Sequence, residues 1–306
     1  MGTRKIAPRV YAILARAKPI AVVFRRGPSK QVLLLTWNTA THVVTPGQWF
    51  KGRIYERRCD LSPSGERLIY FAATNKAPLY SWTAISRPPY LTALALWKNG
   101  SGWGGGGLFI GEDSIELNHG PLSSVVEDDF TLPSKFRVRP FGSHPGRGED
   151  DPILSTRLIR DGWEHTTAGN AVENKFGSKL WWEFTEHSVW SKTKGNWRLE
   201  SRLIGMSEKD GPWYVIEHRI FDKAGNLAAD LGRSDWADWS ISGEALLARD
   251  GRLYRIPINS KTGPSDPIEV ADLNAMKFEG IEAPEDAKTW GPRCKKRLKS
   301  KLRSEE

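Results

Sequence analysis

Residues Asp60-Leu61-Ser62-Pro63-Ser64-Gly65-Glu66 return 178 positions later as Asp238-Trp239-Ser240-Ile241-Ser242-Gly243-Glu244, with five of the seven identical. Each copy runs into an apolar segment, Leu68-Ile69-Tyr70-Phe71 after the first and Ala245-Leu246-Leu247-Ala248 after the second. A strand, a tight Ser-Gly turn and a second strand are thus written twice. A hairpin cannot bury its own apolar face, so a unit that recurs is one that stacks on its neighbours. The best-defined pattern in the chain is therefore architectural and not catalytic.

The rest of the chain repeats the theme of short apolar runs between turn residues. Pro19–Phe24, the turn Arg25–Lys30 and Gln31–Trp37 read as a hairpin. Tyr80–Ile85 and Leu91–Trp97 read as two more strands, and Leu108–Ile110 with Ser114–Leu117 as a hairpin around Gly111-Glu112-Asp113. Lys179–Phe184, Trp197–Ile204 and Trp213–Phe221 follow. Asp250-Gly251 joins Ala245–Ala248 to Leu253–Ile256, a strong short-hairpin signal. Helix signals are confined to Ile281–Ala287 and the basic tail from Lys295. Asn118–Lys135 and Gly142–Pro152 carry no clear strand pattern.

Many short strands and little helix leave a sandwich, a barrel or a propeller. The repeat selects among them, because 178 residues is four steps of about 44, the length of a propeller blade. The stretch Asp60-Leu-Ser-Pro-Ser-Gly-Glu-Arg-Leu-Ile-Tyr resembles the strand, turn, strand unit of TolB-type and WD40-like propeller blades, and Asp238-Trp-Ser-Ile-Ser-Gly-Glu resembles a weaker version of it. The resemblance implies an all-β propeller of about six blades, or five if 118–153 is an insert, or seven if the blades are short. Pro267–Val270 is expected to close the ring by joining the strands near residues 10–25.

Charge marks the domain limits. Residues 1–30 hold eight Lys/Arg and no acid, and residues 288–306 hold eight Lys/Arg and two acids. Between them 29 basic residues face 34 acidic ones, so the formal +9 belongs to the two ends. The expected organisation is a basic lead over 1–8, one propeller over 9–290 and a basic tail over 291–306. Cys59 and Cys294 make no disulfide framework. No run of about 18 apolar residues predicts a membrane helix, and Arg16 and Lys18 interrupt any leader-like segment. The expectation is a soluble, cytoplasmic, monomeric fold.

Several residues could carry function. The run Gly100-Ser101-Gly102-Trp103-Gly104-Gly105-Gly106-Gly107 could form an anion nest or hold Trp103 at the tip of a partner loop. It opens a strand, not the helix a phosphate loop needs, so glycine serving close backbone approach is the plainer reading. Glu164-His165, Glu186-His187 and Glu217-His218 could supply acids and bases to a central channel. Adjacent strand residues point to opposite faces, so no pair can act as a unit within a strand. The 14 Trp include Trp181 and Trp182, which cannot both face inward. Exposed Trp marks interaction surfaces. Lys295, Lys296 and Arg297 lie in a like-charge run suited to an acidic protein surface or nucleic-acid phosphate. The acidic groups Glu127-Asp128-Asp129 and Glu149-Asp150-Asp151 lack calcium-loop spacing. No metal or cofactor motif occurs.

Three functions are compatible with these residues. The first is a non-enzymatic propeller scaffold that binds a macromolecular partner, a protein, through one rim. The second is a propeller-type hydrolase with acids and histidines in its channel. The third is a nucleic-acid-associated protein acting through its basic ends.

Overall fold

The computed structural model describes residues 7–27, 30–175 and 177–291. Strands take 49% of the residues and helices 6%, so the fold is all-β. Five multistranded sheets follow one another along the chain. The first holds Arg9–Leu14, Ile20–Arg26, Gln31–Asn38 and Val44–Lys51 as an antiparallel meander. The second holds Arg53–Ile54, Asp60–Leu61, Leu68–Ala73, Ser81–Ser86 and Ala93–Lys98. The third pairs Gly107–Gly111 with Ser114–Leu117 as the expected hairpin and adds Arg137–Pro140 in parallel. Asn118–Lys135 holds no strand, and Arg137–Pro140, within 118–153, completes this sheet.

The fourth sheet is larger. Leu180–Lys194 runs for 15 residues and pairs with Trp197–Glu208, which continues into Tyr214–Phe221 and Leu227–Arg233, while Glu164–Thr167 and Asn170–Glu173 share its other edge. The fifth holds Trp236–Trp239, Ala245–Arg249, Arg252–Ile256 and Ile268–Asp272. A two-stranded ribbon, Ile258–Asn259 with Gly263–Pro264, lies beside it in sequence.

Alternation decides how the sheets stack. In the first sheet Ile13, Val22, Phe24, Val32 and Leu34 enter one core with Leu68, Tyr70 and Ala84 of the second sheet. Their neighbours Ala12, Ala21, Val23, Leu33 and Leu35 enter another with Leu246, Ala248 and Leu253 of the fifth. A sheet buried on both faces has to be apolar at consecutive positions, which is why these strands read as continuous apolar runs. The same rule sends Ala245, Leu247 and Ile256 to a core with Leu199 and Ile220 of the fourth sheet. It sends Ile69, Ile85 and Trp97 to a core with Phe109 and Ile115 of the third. The packing order is thus fourth, fifth, first, second, third.

An α-helix, Ile153–Arg160, stands between the third and fourth sheets, with Ile153 packed on Leu108 and Phe141 and Leu158 against the core of the fourth and fifth. Sequence reading places no helix there. Pro152 and the Asp151 carboxylate, which accepts from Ser155 N–H at 3.1 Å, mark its start. The 3-10 turn Glu285–Ala287 lies within the segment expected to hold a helical turn.

Ile268–Asp272 pairs with Arg252–Ile256 and not with the strands near residues 10–25. The first and fifth sheets meet instead by side-chain packing and by hydrogen bonds that include Val10 N–H to Asp235 Oδ2 at 3.0 Å and Arg25 Nε to the Leu273 carbonyl at 3.1 Å. No described helix is long and apolar enough to cross a membrane.

Candidate functional site

A cavity of about 750 Å³ opens between the edge strands Arg9–Leu14 of the first sheet and Trp236–Trp239 of the fifth, the helix, and one face of the fourth sheet. The fourth-sheet wall follows from strand register. His165 lies opposite Trp190, Trp190 opposite Ser201, and Ser201 opposite His218, so these four side chains form one row on one face. Ser188, Lys192 and Lys194 extend that face along the same strand at the two-residue period.

The register also separates Glu164 from His165 and Glu217 from His218. His165 and His218 line the cavity, whereas Glu164, Glu186, His187 and Glu217 do not. Glu217 lies opposite Arg202, on the charged outer face where Arg202 and Arg198 also pair with Glu200. His218 is buried with Nδ1 2.7 Å from Ser234 Oγ, and burial, with the charge of Arg57, pushes its pKa down to about 3. A base works best with a pKa near the working pH, so His218 is a poor proton acceptor. His165 is exposed, stacks on Trp190 at 4.6 Å and lies 2.9 Å from Ser188 Oγ through Nε2.

Cations dominate the remaining wall. Arg160 grips both oxygens of Asp60 at 2.6 and 2.9 Å and also binds Asp161. Burial by itself would lower the Arg160 pKa, and the bonds and charge of Asp60 and Asp161 raise it instead. Burial raises the Asp161 carboxyl. Lys192 meets Asp238 at 2.7 Å. Other cations have no carboxylate on them. Arg157, 3% exposed, donates to the Cys59 and Glu56 carbonyls and the Tyr11 hydroxyl. Arg16 donates to the Phe109 carbonyl, and its Nε has no partner among the described residues. Arg57 stacks on Tyr214 at 3.8 Å.

A second cavity of about 300 Å³ abuts the first, since both share Tyr11, Arg57, Tyr214, Ile216 and Asp235. Arg57 and Tyr214 therefore form a partition between them. Asp235 lies at that partition, where burial pushes its carboxyl up to about 6.

The other sequence candidates lie elsewhere. Trp103 is 64% exposed on the glycine-rich turn. That turn is no anion nest, because the N–H groups of Gly104, Gly105 and Gly106 are taken by Gly148 O, Asn118 O and Thr83 Oγ1. Its glycines serve close approach instead, with a Cβ on Gly105 running into Phe71 and one on Gly106 into the Arg58 carbonyl. Trp181 and Trp182 are half-buried on the long fourth-sheet strand and line neither cavity. Lys295, Lys296 and Arg297 lie outside the described residues. Glu127 pairs with Lys98, and Asp150 with Arg58 and the Tyr214 hydroxyl. Among the described residues no three His, Cys, Asp or Glu side chains converge as a metal site. Burial pushes the Cys59 thiol up, so it is no nucleophile.

Sequence reasoning missed Arg16, Arg57, Arg157, Arg160 and Lys192. The period-two set 188, 190, 192 and 194 was legible once a 15-residue strand is granted. The arginines carry no local signal. No protein-family model matches the chain, and no curated protein matches it.

Proposed function

We propose that this chain is a non-enzymatic, propeller-like binding protein whose ligand is an anion seated in the cavity of about 750 Å³. Support for the propeller reading comes from the packing order of the five sheets and from the helix that bridges the third and fourth. Counted by sheets, this reading has five blades.

The observation that carries the ligand reading is the set of cations with no carboxylate hydrogen bond among the described residues, Arg16, Arg57 and Arg157, beside the stack of exposed His165 on half-buried Trp190. Guanidinium groups held by neutral acceptors keep their charge for an incoming anion, and an aromatic face holds an apolar or planar part of the same ligand. Anilinonaphthalene sulfonate combines both features and serves as the probe. Saturable one-to-one binding is expected, weakened at least about fivefold in Trp190→Ala and in Arg16→Gln. Absence of saturable binding, or equal binding by both variants, would count against the site.

The same scaffold offers a protein partner a rim at Trp103 and Trp213, which are 64% and 50% exposed. Trp213 and Gly102, the residue before Trp103, both border the smaller cavity.

One contact favours a hydrolase as the second reading, Ser188 Oγ to His165 Nε2 at 2.9 Å in the cavity wall. A nucleophile needs such a base, but a third group that orients the base is not seen among the described residues. Hydrolysis of p-nitrophenyl acetate, lost in Ser188→Ala, would establish it. Equal turnover by wild type and variant would remove it.

A further inference from the structure

Five arginines, Arg9, Arg26, Arg53, Arg57 and Arg58, line the cavity of about 300 Å³, together with Glu56, Glu149, Asp150 and Asp235. Arg9 and Arg26 are direct cross-strand partners in the first sheet. Like charges facing each other across a ladder work against the sheet, and Glu56 is hydrogen-bonded only to the Arg26 member.

The carboxylates of the cavity are mostly engaged already. Glu56 holds Arg26 through both oxygens, at 3.2 and 3.0 Å. Asp150 is taken by Arg58 at 3.1 Å and by the Tyr214 hydroxyl at 2.8 Å. Asp235 accepts the Val10 N–H at the floor. Glu149 is exposed at the rim. Arg9, Arg53 and Arg57 therefore have no carboxylate hydrogen bond among the described residues. Arg53 lies over the Tyr55 ring at 4.6 Å and Arg57 over Tyr214 at 3.8 Å. Stacking uses the flat face of a guanidinium and leaves its N–H edge available to an acceptor.

We propose that this cavity is a binding site for the phosphoryl group of a phosphate-bearing ligand, held by Arg9, Arg53 and Arg57. A carboxylate is satisfied by a single arginine fork, whereas a phosphoryl group presents three oxygens and suits several forks at once. The site adjoins the larger cavity and shares Arg57 with it, so its test uses neither the sulfonate probe nor an Arg57 variant.

The experiment is calorimetric titration of the full chain with inorganic phosphate and pyrophosphate, with ionic strength held constant by sodium chloride. Saturable binding is expected, weakened at least tenfold in Arg9→Gln and in Arg53→Gln. Arg139→Gln removes the same charge from an exposed position and should bind as wild type. Thermal melting without phosphate supplies a second readout, in which Arg9→Gln should melt at the same temperature as wild type or higher, because the repulsion with Arg26 is gone. A nucleoside monophosphate should bind at least as tightly as inorganic phosphate, since the arginines hold its phosphoryl group. No saturable phosphate binding, equal weakening by all three variants, tighter binding of citrate than of pyrophosphate, or a lower melting temperature for Arg9→Gln would each overturn the proposal.

Discussion

Asp60 has no exposed surface, and its carboxylate accepts two bonds from Arg160 and one from the Phe109 N–H at 2.7 Å. Its counterpart in the repeat, Asp238, is half-buried and accepts from Lys192, Trp239 N–H and Trp163 Nε1. The shared aspartate thus anchors each turn to a basic residue of another element. Breaking a buried pair from one side leaves the other charge stranded, at a cost of about 3–5 kcal/mol, while a partly solvated pair loses about 1 kcal/mol. Asp60→Ala should therefore lower the urea midpoint well beyond Asp238→Ala. Equal losses would mean that Arg160 is rescued by Asp161 alone.

The two repeated turns are alike as local elements. Ser62 Oγ accepts from Arg67 N–H at 3.1 Å, and Ser240 Oγ accepts from Glu244 N–H at 3.0 Å. Gly65 and Gly243 both take a positive φ, 79° and 92°. The first turn is longer by one residue, since Ser62 closes on Arg67 where Ser240 closes on Glu244. Their surroundings differ. Ser64 donates to Glu112 of the third-sheet hairpin, and a Cβ on Gly65 would meet Ile20 at 3.0 Å, while one on Gly243 meets nothing within 4 Å. Gly243→Ala should cost about 1 kcal/mol for the left-handed backbone, and Gly65→Ala about 1–3 kcal/mol more for overpacking. Chemical denaturation of the two variants separates the terms, and equal costs would place the penalty in the backbone alone.

At the scale of the whole molecule the first and fifth sheets are joined without a shared strand, through their common core and hydrogen bonds that include Val10–Asp235. Burial raises the Asp235 carboxyl from 3.8 to about 6. Between these values the folded protein holds a proton that the unfolded chain has released, so the contribution of this group to stability falls as pH rises from about 4 to 6. Above pH 6 the folded state carries the full cost of an ionised, partly buried carboxylate. Asp235→Asn should therefore melt higher than wild type at pH 7.5, by the equivalent of about 1–2 kcal/mol, with the gain vanishing near pH 4. A gain independent of pH would assign the effect to packing.

The chain alone determined many of the strands, the repeated turn and the hairpins at Gly111 and Asp250-Gly251, because alternation and turn chemistry act over a few neighbouring residues; Val44–Lys51, Arg137–Pro140 and Leu227–Arg233 escaped it. The chain also determined that Glu164 and His165, and Glu217 and His218, would diverge, since a regular strand alternates faces wherever it sits. The helix Ile153–Arg160 escaped this reading because its eight residues show only a short apolar pattern behind a turn-rich segment. Tertiary structure alone decided which sheets face one another, that Asp60 meets Arg160 across 100 residues, and that Arg9, Arg53 and Arg57 border one small cavity. Those contacts depend on how whole sheets pack, and a side chain far along the chain leaves no trace in the local pattern of the residue it will touch.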